Sequence, residues 1–472
     1  LHALSDGDIV NSGQLAASTA GEGIVADETT NNALLSGSKD NLRWEVANVN
    51  NSLGTFTLFI RRGDDTIRRK SIVEQYNNIT LDPNSPNFIA TRIGDQVYTM
   101  RDSGGSSPFL QLSGSYPNRS KYVRVSAVKT TINYLDANGN VRVAAASASL
   151  PQAVSGTFAN GSDGTVAHPQ NFFNTITATN SQGYNPESTS SNSYTDAINL
   201  LSNQDEYDIN LLSLPGCINS LHPSILSSAE TMVEGRGDCF LISDPIAYGS
   251  GITAAQAQAE GEDSSYNAMY WPWLQVRDND LGKNIWVPAT TLIPGVYAFN
   301  DMVAAPWFAP AGLNRGGLDS VLQAERKLTQ TNRDDLYESN VNPIATFPNT
   351  GVVVFGQKTL QKKASALDRI NVRRLLIASK KFIASASKYL VFEQNTTATR
   401  NRFLSIANPY FEDIQQRQGL YAFKVVMDET NNTPDVVDRN VLYGQIFVQP
   451  TRTAEFIVLD FTVQPSGATF PE

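Results

Sequence analysis

Residues 207–245, YDINLLSLPGCINSLHPSILSSAETMVEGRGDCFLISDP, decide how the chain is built. YDINLLSLPG reads as a strand, PSILSSAETMVE as a helix and DCFLISDP as a fully apolar strand. Strand, helix, strand at this spacing is a βαβ unit, whose crossover is expected to be right-handed and whose sheet is therefore at least partly parallel. Just upstream, YTDAINLLS (194–202) reads as a helix. Downstream, YWPWLQVRD (270–278) reads as one further strand and PATTLIPGVYAFNDM (288–302) as a helix, with Pro288 at its start and an internal Pro294 that kinks or breaks it.

Moving outward, the preceding part is predominantly β. LRWEVANV (42–49) and GTFTLFIRR (54–62) alternate apolar and polar residues around the turn-forming NNSLG, which predicts a hairpin. NFIATRIGD (87–95), YVRVSAV (122–128) and VRVAAASASL (141–150) continue as strands, with a turn at DANGN (136–140). The last third reads as α+β: a helical RDDLYESNVNPI (333–344), a strand GVVVFGQKTL (351–360), a basic helix, and a second helical stretch around YFEDIQQRQG (410–419). Strands LYAFKVVMDE, NVLYGQIFVQP and AEFIVLDFTV follow. The expected divisions are 1–40, a loop-rich remnant; 41–193, β-rich; 194–331, α/β; and 332–472, α+β.

At 472 residues the chain is long enough for several domains. Charged residues are 17% of it against about 25% in soluble proteins, so amides and hydroxyls make up much of the polar surface. No run of about 18 apolar residues predicts a membrane span, and the first residues lack the blocks of a signal peptide. The chain reads as soluble and unexported, and its start at Leu1 suggests that an N-terminal arm precedes it. Two cysteines, Cys217 and Cys239, fit a reducing compartment, with Cys239 a buried free thiol.

Catalytic patterns find no foothold. RDSGG (101–105) places Ser103 where a protease nucleophile would stand, but Arg101 replaces the leading glycine, and none of His2, His168 and His222 lies in a partner motif. No histidine has a second ligand at metal spacing, so no metal and no cofactor are expected. Phosphate-binding and dinucleotide-binding glycine loops are missing, as is a nucleophile elbow. Asp64 with Asp65, and Asp334 with Asp335, read as solvated surface carboxylates.

One segment contradicts the net charge of -10: RINVRRLLIASKKFIASASKY, 369–389, carries six cations and no acid. On a helix, Val372, Leu375, Leu376, Phe382, Ile383, Ala386 and Leu390 form one stripe. Arg369, Arg373, Arg374, Lys380, Lys381 and Lys388 form the broad opposite face, interrupted by Ile377. Nucleic acid would bring aromatics or a binding module beside the charge. A membrane surface would need the apolar stripe that the core requires. An acidic protein surface remains, beside the plain alternative of a solvated face.

FAPAGLNRG (308–316), RDDLYESNVNPI (333–344), VVFGQKTL (353–360), DRINVRRL (368–375), SKYLVFEQN (387–395), DETNNTPDVVDRN (428–440) and AEFIVLDF (454–461), in this order, resemble the tail sheath proteins of contractile-tailed bacteriophages of the T-even type. The resemblance implies a non-catalytic virion subunit, assembled in the host cytoplasm, that stacks as hexameric rings around a tail tube. It also implies baseplate and tail terminator proteins as partners, with no nucleic acid bound and no membrane insertion. The implied architecture is a β-rich outer domain, a subtilisin-like α/β middle domain and an α+β C-terminal domain with terminal strand exchange. By the same resemblance, the six cations of 369–388 are candidates for the tube contact. Ile457, Leu459, Phe461 and Val463, with Phe470 further on, belong to a strand and arm that pair with a neighbouring subunit. A phage-derived injection machine remains open as an alternative, and a serine hydrolase on the subtilisin-like domain is the rival from another class.

Overall fold

In a computed structural model the described residues are 1–5, 10–11, 39–66, 68–102, 108–129, 150–158, 193–279 and 282–455. The chain divides into two compact units, 1–168 with 176–200, and 201–472 with 169–175.

The first unit holds strands β1 (His2–Ala3), β2 (Leu42–Asn50), β3 (Thr55–Arg62) and β4 (Ile72–Ile79), helix α1 (Ile89–Ile93), strands β5 (Val97–Arg101), β6 (Phe109–Ser113), β7 (Val123–Arg124) and β8 (Ser155–Thr157), and helix α2 (Ser193–Leu201). The expected hairpin is present: β2 and β3 pair antiparallel with Trp44 opposite Ile60 and Val46 opposite Leu58, inside a sheet ordered β4-β3-β2-β8. Its buried face carries Val46, Phe56, Leu58, Ile60 and Ile79. Each such side chain removed from water contributes about 1.5–3 kcal/mol.

Three expectations for this unit change. NFIATRIGD is not a strand: Ile89, Ala90 and Ile93 share the buried side of α1, a helical rather than alternating spacing. YVRVSAV contributes only the two residues of β7. Asp65 is not solvated. Its carboxylate is fully buried, taking Arg61 Nε at 2.6 Å, Arg61 Nη2 at 2.9 Å, Arg43 Nη1 at 2.9 Å and the Ser71 amide at 3.0 Å. Asp64 is the exposed one, paired with Arg62. VRVAAASASL apart from Leu150, the DANGN turn, Ser103 and His168 lie outside the described residues.

In the second unit come β9 (Leu211–Ile218), α3 (Pro223–Arg236), β10 (Phe240–Asp244), α4 (Ile252–Gly261), β11 (Asn267–Trp271), β12 (Leu274–Asp278), β13 (Lys283–Val287) and α5 (Ile293–Val303). Then follow β14 (Val321–Ala324), α6 (Gln330–Glu338), β15 (Val341–Phe347), β16 (Gly351–Val354), α7 (Ile370–Lys388), α8 (Thr397–Gln416), β17 (Leu420–Val426), α9 (Pro434–Asp438) and β18 (Gln445–Pro450). The βαβ reading is borne out: β9 and β10 run parallel on either side of α3 in the sequence. The sheet is ordered β16-β15-β11-β10-β9, parallel except for β16.

Both faces of this sheet are covered, as a parallel sheet requires. Phe240, Ile242, Ala268, Tyr270 and Ile344 pack with Ile293, Val296 and Tyr297 of α5 and Ile370 and Ile377 of α7. On the other face Met269, Trp271 and Val341 pack with Ala255 and Ala259 of α4 and Leu336 of α6. A separate antiparallel sheet runs β13-β12-β14.

Proline and left-handed positions account for the differences from expectation. YWPWLQVRD is two strands in two sheets, divided at Pro272, which has no N–H to continue a ladder. Pro294 opens α5 after a 3-10 turn at Ala289–Thr291 rather than bending one long helix. The helix expected over 333–344 ends at Glu338. Asn340 has φ +64° and the remainder becomes strand β15. Cys217 and Cys239 are both buried and form no disulfide, and burial pushes the Cys239 thiol up to about 11.

Candidate functional site

Helix α7 forms where the basic segment predicts it, but its cations do not share an outer face. Every residue from Ile370 to Leu375 is buried, as is Ile377, so the first half of the helix is enclosed on all sides. Arg373 and Arg374 are only 8% and 6% exposed. This corrects the placement of both on a broad solvated face.

The physical reason lies in what a guanidinium tolerates. Its flat, weakly hydrated surface stacks on aromatic rings while its edge donates hydrogen bonds. Arg373 lies 4.0 Å above the Tyr266 ring, its Nε donates to the Ser265 carbonyl at 3.2 Å and its Nη2 to Ser265 Oγ. Burial lowers the Arg373 pKa. Arg374 lies 4.7 Å above the Tyr297 ring and pairs through Nη2 with Asp301 at 2.5 Å. Tyr297 in turn shares a 2.6 Å hydrogen bond with Tyr270. Burial raises both phenols far above the usual tyrosine range.

At the helix start, Arg369 is the N-cap residue and makes a two-pronged pair with Glu455, Nε to Oε1 at 2.6 Å and Nη2 to Oε2 at 3.0 Å, with Asp368 at 3.2 Å from Nη1. The three lysines stand on the second half. Lys380 is exposed and its amine is 3.5 Å from the Arg236 carbonyl, at the C-terminal end of α3. Gly237 ends that helix at φ +65°, a left-handed position that favours glycine. Lys381 donates to the Ile209 carbonyl at 2.8 Å and pairs with Asp208. Lys388 pairs with Asp205 at 3.0 Å, both side chains open to water.

The apolar stripe is also redrawn. Val372, Leu375 and Leu390 are buried, whereas Phe382 is 40% exposed and stacks on Tyr410 of α8, with ring centres 3.9 Å apart. Phe411, Ile414 and Leu420 join Leu375 and Trp307 in the core beneath the β17–β18 hairpin. That hairpin is a two-stranded antiparallel sheet. Beside it lies a groove of about 480 Å³ lined by Leu376, Ile383, Phe411, Ile446 and Val448. Ile457, Leu459, Phe461, Val463 and Phe470 lie outside the described residues.

His222, buried at the N-cap of α3, accepts the Ile218 amide on Nδ1 at 3.2 Å. At the carboxyl end of β10, the buried Asp244 accepts the Thr290 amide at 3.2 Å and the Thr290 hydroxyl, capping the 3-10 turn. Among the described residues no group of three or more His, Cys, Asp or Glu side chains could hold a metal ion. Asp334 and Asp335 are exposed, as expected.

Sequence reasoning missed Ser265, Tyr266, Asp301 and Glu455, the partners of the helix's three arginines. No spacing rule connects them, since each lies 73 to 108 residues from the arginine it meets. What these residues offer is ion pairs and stacked rings that fix the helix within the chain. Residues 191–360 match the phage tail sheath protein central domain and residues 362–464 the phage tail sheath C-terminal domain, and the chain belongs to the phage tail sheath family.

The tail sheath protein of Vibrio phage KVP40 is 41% identical over 210 residues, covering 44% of this chain and 30% of that protein. That of Enterobacteria phage T4 is 39% identical over 194 residues, covering 41% of this chain and 29% of that protein. The matched region thus spans under a third of either relative. Among solved structures, the helical sheath of the anti-feeding prophage in its contracted state superposes with a TM-score of 0.47 at 25% identity, over 57% of this chain and 74% of that one.

Proposed function

We propose that this chain is a subunit of a contractile tail sheath that polymerises as stacked hexameric rings around a tail tube and shortens to drive the tube through the host envelope. The observation that carries this reading is the pair of sheath-family matches, which run consecutively over 191–464. The extended lattice would be metastable, its work stored behind a kinetic barrier and released by repacking of subunit contacts. The protein would act without catalysis, as a virion component, with baseplate and terminator proteins at the ends of the polymer. Its middle domain would be a subtilisin-like α/β layer structure, a reading favoured by the parallel sheet covered on both faces.

Two contacts would serve assembly. The C-terminal strand and arm, with Ile457, Leu459, Phe461, Val463 and Phe470, would add to a neighbour's sheet; a two-stranded hairpin with open edges is a suitable receiver, because main-chain bonds supply affinity with little demand on sequence. Lys380, Lys381 and Lys388 would meet an acidic tube surface, since they occupy the accessible half of α7. Arg369, Arg373 and Arg374 are engaged within the chain and would support the helix instead.

Negative-stain microscopy of the purified protein tests the reading. Hollow, striated tubes with six-fold symmetry are the expected result, and a protein that stays monomeric under all polymerising conditions would count against it. Reversing Lys380, Lys381 and Lys388 to glutamate should leave the fold intact and abolish assembly on tubes. Unchanged assembly would remove the tube contact from this helix.

A further inference from the structure

After β18 ends at Pro450 the Thr451 amide still donates to the Gly419 carbonyl at 3.2 Å, and Arg452, Thr453 and Ala454 beyond it are exposed. Glu455 then turns back into the body, its side chain only 16% exposed. Groups from three separate elements converge on it. Arg369, the N-cap of α7, grips both carboxylate oxygens. Gln357, 3% exposed and just beyond β16, donates its amide to Glu455 Oε1 at 3.1 Å and to Thr453 Oγ1. Tyr337 of α6 lies beside the same carboxylate, and burial, with the Glu455 charge adding to it, holds its phenol well above the usual range, so it stays neutral. Lys358 steadies Tyr337 in turn, donating to its carbonyl at 2.7 Å with the amine 4.7 Å over its ring.

We propose that Arg369 and Gln357 are positioning residues that clamp Glu455 and set the direction in which the C-terminal segment leaves the subunit, so that tension on that segment reaches the clamp before strand β18. The clamp ties the exit of β18 to the parallel-sheet body, because Gln357 lies just beyond β16 and its carbonyl accepts the Ile370 amide at the start of α7. Without it, a pull would peel β18 from a two-stranded sheet one hydrogen bond at a time, and such a ribbon is only marginally stable by itself. A bidentate, charge-assisted pair resists such a pull in a defined geometry that lysine cannot reproduce. The tension-bearing role rests on the reading of the C-terminal segment as an arm exchanged between subunits; the grip on Glu455 does not.

Hydrogen exchange on the unassembled 472-residue chain tests the grip. Glu455→Gln and Arg369→Lys should each speed exchange of the Thr451 amide, which donates to the Gly419 carbonyl at 3.2 Å, about tenfold or more, while amides of β11 and β15 stay as protected as before. The reversed pair Arg369→Glu with Glu455→Arg should recover part of that protection, which a general loss of stability would not do. Unchanged exchange at Thr451 in both single variants would overturn the clamp. For the role in the polymer, sheaths of Glu455→Gln should dissociate at a lower urea concentration than wild type, and equal resistance would overturn tension sharing. A chain ending at residue 455 separates the two readings: undiminished polymerisation would sink the exchanged arm, and tension sharing with it, while the exchange result still decides the grip.

Discussion

Both units bury arginines, and they do so in opposite ways. In the first, Arg43 and Arg61 meet Asp65 and Glu45 across sequence separations of 22, 4 and 16 residues, within one hairpin and the turn that follows. In the second, Arg369, Arg373 and Arg374 reach partners 86, 108 and 73 residues away. A local network secures one hairpin, and a distributed one ties strands, helices and the chain's exit to a single helix. The local network is also the drier one: Arg61 and Asp65 side chains are fully buried, whereas Glu455 and Asp301 keep some contact with water.

Removing one partner of the local network should therefore have the largest effect. Asp65→Asn removes the fully buried carboxylate that Arg43 and Arg61 share, leaving Arg61 its pair with Glu45, and should cost about 3–5 kcal/mol. Trp44, the single tryptophan before residue 201, reports on this unit, and its fluorescence transition should move to much lower denaturant while the rest of the protein unfolds as before. An effect below about 1 kcal/mol would show that the pairs are as weak as surface ones.

In the distributed set the effects should be smaller. Arg374→Ala removes one hydrogen-bonded ion pair and one ring contact and should cost about 2 kcal/mol, read from chemical denaturation of the second unit. A cost equal to that of Asp65→Asn would erase the contrast between the units.

Asp244 probes the parallel sheet by pH. Burial raises its carboxyl from 3.8 to about 7, outweighing the Thr290 hydrogen bonds that lower it. The folded protein then binds this proton more tightly than the unfolded chain does. The resulting stability is present in full below about pH 4 and is lost as pH rises through about 7. Asp244→Asn should flatten that part of the melting-temperature profile, and parallel profiles for the two proteins would refute the assignment. Least affected of all should be Lys388→Ala, whose exposed pair with Asp205 should contribute under about 0.5 kcal/mol to stability by thermal unfolding.

Much of the architecture was legible along the chain. The β2–β3 hairpin, the βαβ unit and α7 all rest on contacts between near neighbours, where periodicity and turn residues carry the information. Short segments misled where two periods compete: Ile89, Ala90 and Ile93 fit a helix as well as a strand, and Pro272 divides what reads as one apolar run. The candidate site was legible as a helix and illegible as a surface. A stripe rule assigns arginine to water because it sees charge, and it cannot see Tyr266 or Tyr297 waiting to stack.

By itself, then, the sequence determined where the β2–β3 hairpin, the βαβ unit and the basic helix lie, that one sheet is at least partly parallel, and which family the chain resembles, because these follow from local spacing and from motifs in order. Only the tertiary structure decided which cations are enclosed. Whether a charge meets water or a buried partner depends on residues brought together from distant parts of the chain, and for Arg369, Arg373 and Arg374 those partners are Glu455, Ser265 with Tyr266, and Asp301.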